Sequence, residues 1–218
     1  MYFDNRAQAG QLLAAQLIEK YRYENCAVVA VSNGGVLVGE QIAAQLHCPL
    51  MMLVTEDIDV PGENSVFGSV SENGNFTYND AFSEGEIDEY TTEFHGYLDD
   101  KKREAFSRIN RLVGDGGVID ERLLQDRMVI LVSDGFENTS SIGVATDYLK
   151  PMRIHRLIIA APISTVAVVD ALHVSADELH ILDVKANFLG VDHYYTDNTV
   201  PSQDEAIAKI NQIVLNWR

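Results

Sequence analysis

A doubly wound, mostly parallel α/β sheet with an inserted acidic flap is the fold this 218-residue chain predicts. Three observations carry that prediction. Short, unbroken apolar runs recur at residues 26–31, 50–54, 128–132 and 157–161, and residues 179–184 look like a fifth strand, interrupted by His180 and Asp183. Helix-length amphipathic segments separate them, and parallel strands covered on both faces read as continuous apolar runs. The rhythm stops once, over residues 56–100, where thirteen Asp or Glu occur without a single Lys or Arg.

Each element has its own local reason. Asp4 is placed to cap a first helix that carries Leu13, Leu17 and Tyr21 at four-residue spacing. Residues 26–31 form the first strand, ending at Ser32-Asn33-Gly34-Gly35, and residues 36–46 the next helix. Pro49 precedes the second strand. In the acidic segment, residues 67–71 and 75–78 flank Asn73-Gly74, a hairpin signal, and a polar helix follows over residues 88–112. The segment reads equally as a functional flap or as a solvated acidic excursion. After Gly116-Gly117 the alternation resumes: strand 128–132, loop 133–141, helix 142–149, strand 157–161, helix 165–172, strand 179–184. Ser202 and Glu205 make a capping box for a last helix, whose apolar face is Ala206, Ile210, Ile213, Val214 and Trp217.

Charge narrows the function classes. Sixteen Lys and Arg against 33 Asp and Glu leave a net charge of −17. Duplex nucleic acid and anionic membranes are bound through clustered basic residues, so a broad footprint of that kind is excluded. An acidic surface favours solubility and would also suit a saline cytoplasm. Two cysteines, Cys26 and Cys48, lie in apolar surroundings and read as buried free thiols in a reducing compartment. No signal peptide or membrane-length apolar run is visible, so a cytoplasmic protein is expected.

In an open parallel sheet, ligands bind beyond the carboxyl ends of the strands at the topological switch point. Two loops have suitable chemistry. In Ser32-Asn33-Gly34-Gly35 the adjacent glycines allow close backbone approach to an anion, or simply a tight strand-to-helix turn. Ser133-Asp134-Gly135 opens the second loop with a carboxylate at a strand end. Asn138-Thr139-Ser140-Ser141 closes it with polar side chains at a helix start, where unpaired N–H groups suit phosphate. Ordinary capping would explain one such residue more easily than four.

Taken in order and spacing, these loops resemble the type I phosphoribosyltransferases, most closely a small group of uncharacterised bacterial-type members. The resemblance spans nearly the whole chain. It runs through Ala9-Gly10, Val29-Ala30-Val31-Ser32-Asn33-Gly34-Gly35-Val36, Val60-Pro61-Gly62-Glu63-Asn64, Phe67-Gly68-Ser69-Val70 and Val129-Ile130-Leu131-Val132-Ser133-Asp134-Gly135. Asn187-Phe188 and residues 191–195 match an aromatic region of the same group. The resemblance implies one phosphoribosyltransferase-like domain over residues 1–218. Within it, residues 56–113 are an acidic flap and helix inserted in the core, and residues 185–218 a C-terminal aromatic segment and helix.

The family's motif is two acidic residues, three variable ones, Thr, Gly, any residue, then Ser or Thr. The acids hold the ribose hydroxyls of phosphoribosyl pyrophosphate and the loop amides hold its 5′-phosphate. By that resemblance Asp134 keeps the second acid and is the candidate catalytic residue, while Ser133 stands in place of the first. Asn138 replaces Thr, Thr139 replaces Gly, and Ser141 supplies the last hydroxyl. Ser133, Asp134, Asn138, Thr139, Ser140 and Ser141 are thus the ribose- and phosphate-binding candidates. In the pyrophosphate loop Asn33 stands where Arg is usual, with Gly34 and Gly35 kept, and Glu56-Asp57 takes the place of a basic pair. Tyr194 and Tyr195 are candidates for stacking a base, or for packing at the sheet edge.

These departures act in one direction. Pyrophosphate leaves with several negative charges, which Mg²⁺ and cationic or N–H donors must stabilise. Each such group contributes about 2–4 kcal/mol in the transition state, so two or three losses suppress the rate by orders of magnitude. Thr139 adds a steric objection, because a β-branched residue resists a positive φ and crowds the phosphate. The six histidines show no metal-ligand spacing, and no metal site is expected from the residues; Mg²⁺ would enter only with bound phosphoribosyl pyrophosphate. The reading is a protein that binds a phosphorylated ribose or nucleotide, with catalysis weakened or lost, in a binding or regulatory role. The alternative is an active transferase that moves phosphoribose to a nucleobase-like acceptor. The expected partner is a small phosphorylated ligand, without a membrane, and with room for a homodimer.

Overall fold

The computed structural model describes residues 1–63, 65–79, 81–113 and 119–216. In chain order the elements are α1 (Arg6–Tyr21), β1 (Cys26–Ala30), α2 (Asn33–Leu46), β2 (Leu50–Met52), β3 (Thr55–Asp59), β4 (Val66–Ser71) and β5 (Phe76–Tyr78). There follow α3 (Glu84–Glu93), α4 (His95–Val113), β6 (Met128–Val132), α5 (Ser140–Leu149), β7 (Arg156–Thr165), α6 (Val166–Leu172), β8 (Glu178–Lys185) and α7 (Gln203–Asn216). They fall into two compact units. One comprises Met1–Met52, Ile119–Asn138 and Met152–Arg218, the other Leu53–Val118 and Thr139–Pro151.

The first unit is built on a five-stranded sheet in the order β2-β1-β6-β7-β8. Every neighbouring pair in it is parallel, with Val28 opposite both Leu50 and Ile130. β1 and β6 are apolar and buried along their whole length, as the unbroken runs require. α1 buries the face predicted for it, with Leu13, Leu17 and Tyr21 at its centre. Its cap is Asn5, which accepts the Gln8 N–H, and not Asp4, whose carboxylate accepts from the Gln8 side chain instead. Gly10 lets α1 lie against α2, since a Cβ there would stand 2.8 Å from the Val38 carbonyl oxygen. The α7 capping box forms in both directions, and Ala206 and Ile210 are buried. Trp217, the side chain of Val214 and the Gly116-Gly117 pair lie outside the described residues.

The second unit holds a three-stranded antiparallel sheet, β3-β4-β5, where the sequence signal gives only a hairpin. The additional strand is Thr55-Glu56-Asp57-Ile58-Asp59. Its three acids lower strand propensity, and only Ile58 is buried. The single polar helix expected over residues 88–112 is two helices, broken at Phe94. A capping box between Ser83 and Glu86 starts the first earlier than apolar spacing indicates. α4 buries Leu98, Ala105 and Ile109 along one stripe, and its Arg108 reaches Glu56 on β3 at 3.3 Å. Phe67 is fully buried among Phe76, Tyr78, Phe82 and Tyr90. α5 joins this unit through Asp147, which accepts from Thr77 on β5 at 2.9 Å.

Candidate functional site at the strand switch point

β1 and β6 lie side by side, yet β1 leads outward to β2 and β6 leads the opposite way to β7. The crevice beyond their carboxyl ends is therefore the switch point, the usual ligand position in such sheets. Ser32 lies two residues past the end of β1 and Ser133-Asp134 follow β6 directly, so adjacency of strands brings together segments a hundred residues apart.

Ser32 turns the chain from β1 into α2. Its Oγ accepts the Gly35 N–H at 2.9 Å, an N-cap, while its hydroxyl donates to Oδ1 of Asp134 at 2.7 Å. Asn33-Gly34-Gly35 is consequently the first turn of α2 and not a free loop. The cap acts by holding Gly35 and leaves the earlier amides for a ligand. Gly34 is needed for close approach: a Cβ there would lie 2.0 Å from Oδ2 of Asp134 and 2.7 Å from Nε of Arg6. Ser133, standing where a carboxylate is usual in the resembled family, donates to the Gly135 carbonyl at 2.9 Å.

Arg6 is the residue that sequence reasoning missed. Only 2 % of its side chain is exposed, and its Nε donates to Oδ2 of Asp134 at 2.6 Å. Nη2 donates to Asp192 at 2.5 Å, and the guanidinium carbon lies 4.6 Å from the centre of the Tyr195 ring. A signal for it was present. Arg6 falls on the face of α1 shared by Gly10, Leu13 and Leu17, and an arginine on an apolar helix face is rarely buried without a partner. Burial opposes its charge, but the hydrogen bonds and charges of Asp134 and then Asp192 outweigh it, holding the guanidinium above its ordinary pKa.

Asp134 is thus an acceptor with a partner on each oxygen and a tenth of its side chain exposed. Tyr195, expected as a base-stacking candidate, is buried with its ring against Phe3 and Arg6, and its hydroxyl donates to the Asp134 carbonyl at 2.5 Å. Burial first, and the Asp134 charge second, push its phenol well above the usual range. Tyr194 is buried too, against Phe188, with its hydroxyl donating to the Asn187 carbonyl. Both rings serve packing in this arrangement. A base would have to displace those neighbours to stack on them.

The polar stretch of the second loop divides between the units. Asn138 ends a segment of the first, whereas Thr139, Ser140 and Ser141 belong to the second, where Ser140 and Ser141 open α5. Thr139 is the N-cap position, with φ −89° and ψ −6° and no capping bond from its side chain. The backbone half of the steric objection to a β-branched residue there is therefore corrected, because the chain stays in a region open to threonine.

A metal ion is poorly served. No group of three or more His, Cys, Asp or Glu among the described residues is placed to hold one. Asp134 is already neutralised by Arg6, and Ser133 adds no charge. These donors do not fit a protein-held Mg²⁺. Cys26 and Cys48 are free and buried, and no helix among the described residues is long and apolar enough to cross a membrane.

Comparison with known proteins agrees with this architecture. The crystal structure of TT1426 from Thermus thermophilus superposes with a TM-score of 0.70 at 24% identity, covering 100% of this chain and 99% of that one, a likeness of fold. Two Mycobacterium tuberculosis proteins provisionally named phosphoribosyl transferases, MT0597 and Rv0571c, are each 26% identical over 212 residues. That alignment covers 96% of this chain and 46% of each relative, so the chain spans about half the length of the curated relatives it matches. The phosphoribosyl transferase domain matches residues 1–196. With that match over most of its length, on a sheet whose switch point holds Asp134 beside Gly34, the chain belongs to the phosphoribosyl transferase domain family.

Proposed function

We propose that this protein binds a phosphorylated ribose or a nucleotide beyond the carboxyl ends of β1 and β6. In this reading phosphoribosyl transfer is weakened or lost, and the role is one of binding or regulation. One observation carries the reading: the carboxylate just beyond the end of β6, Asp134, is paired with Arg6 and Ser32, and Ser133 offers no second acid. Sugar hydroxyls can still be accepted by Asp134, whose oxygens each have two lone pairs. The leaving pyrophosphate, by contrast, lacks the cation that Asn33 replaces, the nearby Arg6 guanidinium is already shared between Asp134 and Asp192, and the net charge of −17 repels it. Without two or three donors worth about 2–4 kcal/mol each, transfer slows by several orders of magnitude.

The alternative, an active transferase using a nucleobase-like acceptor, draws on family membership and on the retained Gly34-Gly35 close approach. Calorimetric titration with phosphoribosyl pyrophosphate and Mg²⁺, beside a nucleoside monophosphate, separates the two when combined with a pyrophosphate-release assay. The proposal expects binding with little or no release for common purine and pyrimidine bases. Robust release with any of them, abolished by Asp134→Ala, decides for the transferase. Absence of binding by every phosphorylated ligand defeats both.

A further inference from the structure

Arg6 has more donors than partners. Nε and Nη2 are taken by Asp134 and Asp192, while Nη1 is buried and has no hydrogen-bond partner among the described residues. A guanidinium carries five N–H donors, and leaving one buried and unpaired is costly. The position is informative as well. The Gly34 backbone lies directly against Nε, so the guanidinium sits at the first turn of α2, where the Asn33 and Gly34 amides have no intrahelical acceptor. Asp192, at the other edge, is 67 % exposed and holds Arg6 from the solvent side.

We propose that Arg6 is an anion-binding residue that exchanges partners when a sugar phosphate binds. Asp134 turns from Arg6 to the sugar hydroxyls, and the guanidinium, beginning at Nη1, takes a phosphate oxygen. The inference rests on the reading above, that this crevice holds a phosphorylated ribose. It adds a rule of selection. A free sugar that drew Asp134 away would leave Arg6 with Asp192 alone as counter-charge, and inorganic phosphate that drew Arg6 away would leave Asp134 without its cation. Either outcome breaks the buried Arg6–Asp134 pair without replacing the partner that was lost, which is the expensive way to break such a pair. A ligand carrying both groups satisfies both residues at once.

The test is calorimetry on the full chain with ribose 5-phosphate, ribose and inorganic phosphate. Arg6→Gln weakens ribose 5-phosphate at least tenfold and strengthens ribose, because Asp134 is no longer held. A merely structural role would weaken both ligands together, and that parallel loss overturns the proposal. Asp192→Asn keeps the question answerable if Arg6→Gln does not fold. Removing the exposed competitor for the guanidinium tightens ribose 5-phosphate severalfold, and unchanged or weaker binding overturns the proposal. If the wild type binds ribose 5-phosphate and neither variant changes its affinity, the partner exchange alone is wrong. If the wild type binds no phosphorylated ligand, the reading it rests on falls as well.

Discussion

Replacing Gly34 with alanine is the sharpest test of how tightly the site is built. The added Cβ would lie 2.0 Å from Oδ2 and 2.4 Å from Cγ of Asp134, and 2.7 Å from Nε of Arg6. Real Cβ contacts essentially never fall under 3.0 Å, so the carboxylate must retreat by about 1 Å (3.0 − 2.0). The bond from Arg6 Nε, now 2.6 Å, then lengthens beyond hydrogen-bonding range unless Arg6 moves with it, and the same Cβ crowds Arg6. Overpacking costs about 1–3 kcal/mol, and fully breaking a buried ion pair about 3–5 kcal/mol. Better helix propensity returns at most about 1 kcal/mol. The net expectation is a loss of about 2–4 kcal/mol, a fall in Tm of about 4–16 °C for a chain of this size. Thermal unfolding followed by circular dichroism measures it. Gly96→Ala is the control, because Gly96 is also helical and a Cβ there meets nothing within 4 Å. That variant is neutral or gains up to about 1 kcal/mol. Equal melting temperatures for the two variants would refute the reasoning.

Three further outcomes follow from particular residues. Glu178 accepts from Lys20, Tyr21 and Arg156, and those bonds, Lys20 first, pull its carboxyl down to about 2 from an ordinary 4.5. A depressed acid contributes stability that is present above its unfolded pKa and is lost as pH falls from there through about 2. The contribution is at most about 3 kcal/mol, reduced by solvent screening, so the urea midpoint of wild type falls more than that of Glu178→Gln between pH 5 and pH 2.5. An equal fall in both removes Glu178 from the account. Burial pushes the Cys26 thiol up to about 11 and the Cys48 thiol up to about 12, so neither reacts with a disulfide reagent at pH 8 until the chain unfolds. Rapid labelling of the native protein would contradict this. Inorganic phosphate bound at a separate position, the first turn of α5 in the second unit, is expected to hold steady or tighten modestly from low to moderate salt, because screening relieves the repulsion of a −17 chain. A steep loss with salt, or no effect of Ser141→Ala, counts against phosphate at that turn.

Asp134 is legible in the sequence alone, because a lone acid just past the end of an apolar strand is a local pattern. Its condition is not. Whether that carboxylate is open or paired depends on Arg6, 128 positions away, and on Ser32, 102 positions away. The same limit explains Tyr194 and Tyr195. Aromatic character is plain in the chain, while burial under Phe3, Arg6 and Phe188 is a matter of packing partners drawn from both ends of it. In the acidic segment the hairpin announces itself through Asn73-Gly74. The third strand does not, since Glu56, Asp57 and Asp59 argue locally against a strand, and pairing with β4 overrides them.

What the sequence by itself determined is the alternation of buried strands and amphipathic helices, and so the parallel sheet with its loops at the carboxyl ends of the strands. Period and burial are properties of neighbouring residues, and neighbours are what a sequence lists in order. Only the tertiary structure decided the strand order β2-β1-β6-β7-β8, which seats Ser32 beside Asp134, and the return of α1 to lay Arg6 between Asp134 and Asp192. Those contacts join segments distant in the chain, and which donor reaches which carboxylate is set by how the helices close over the sheet.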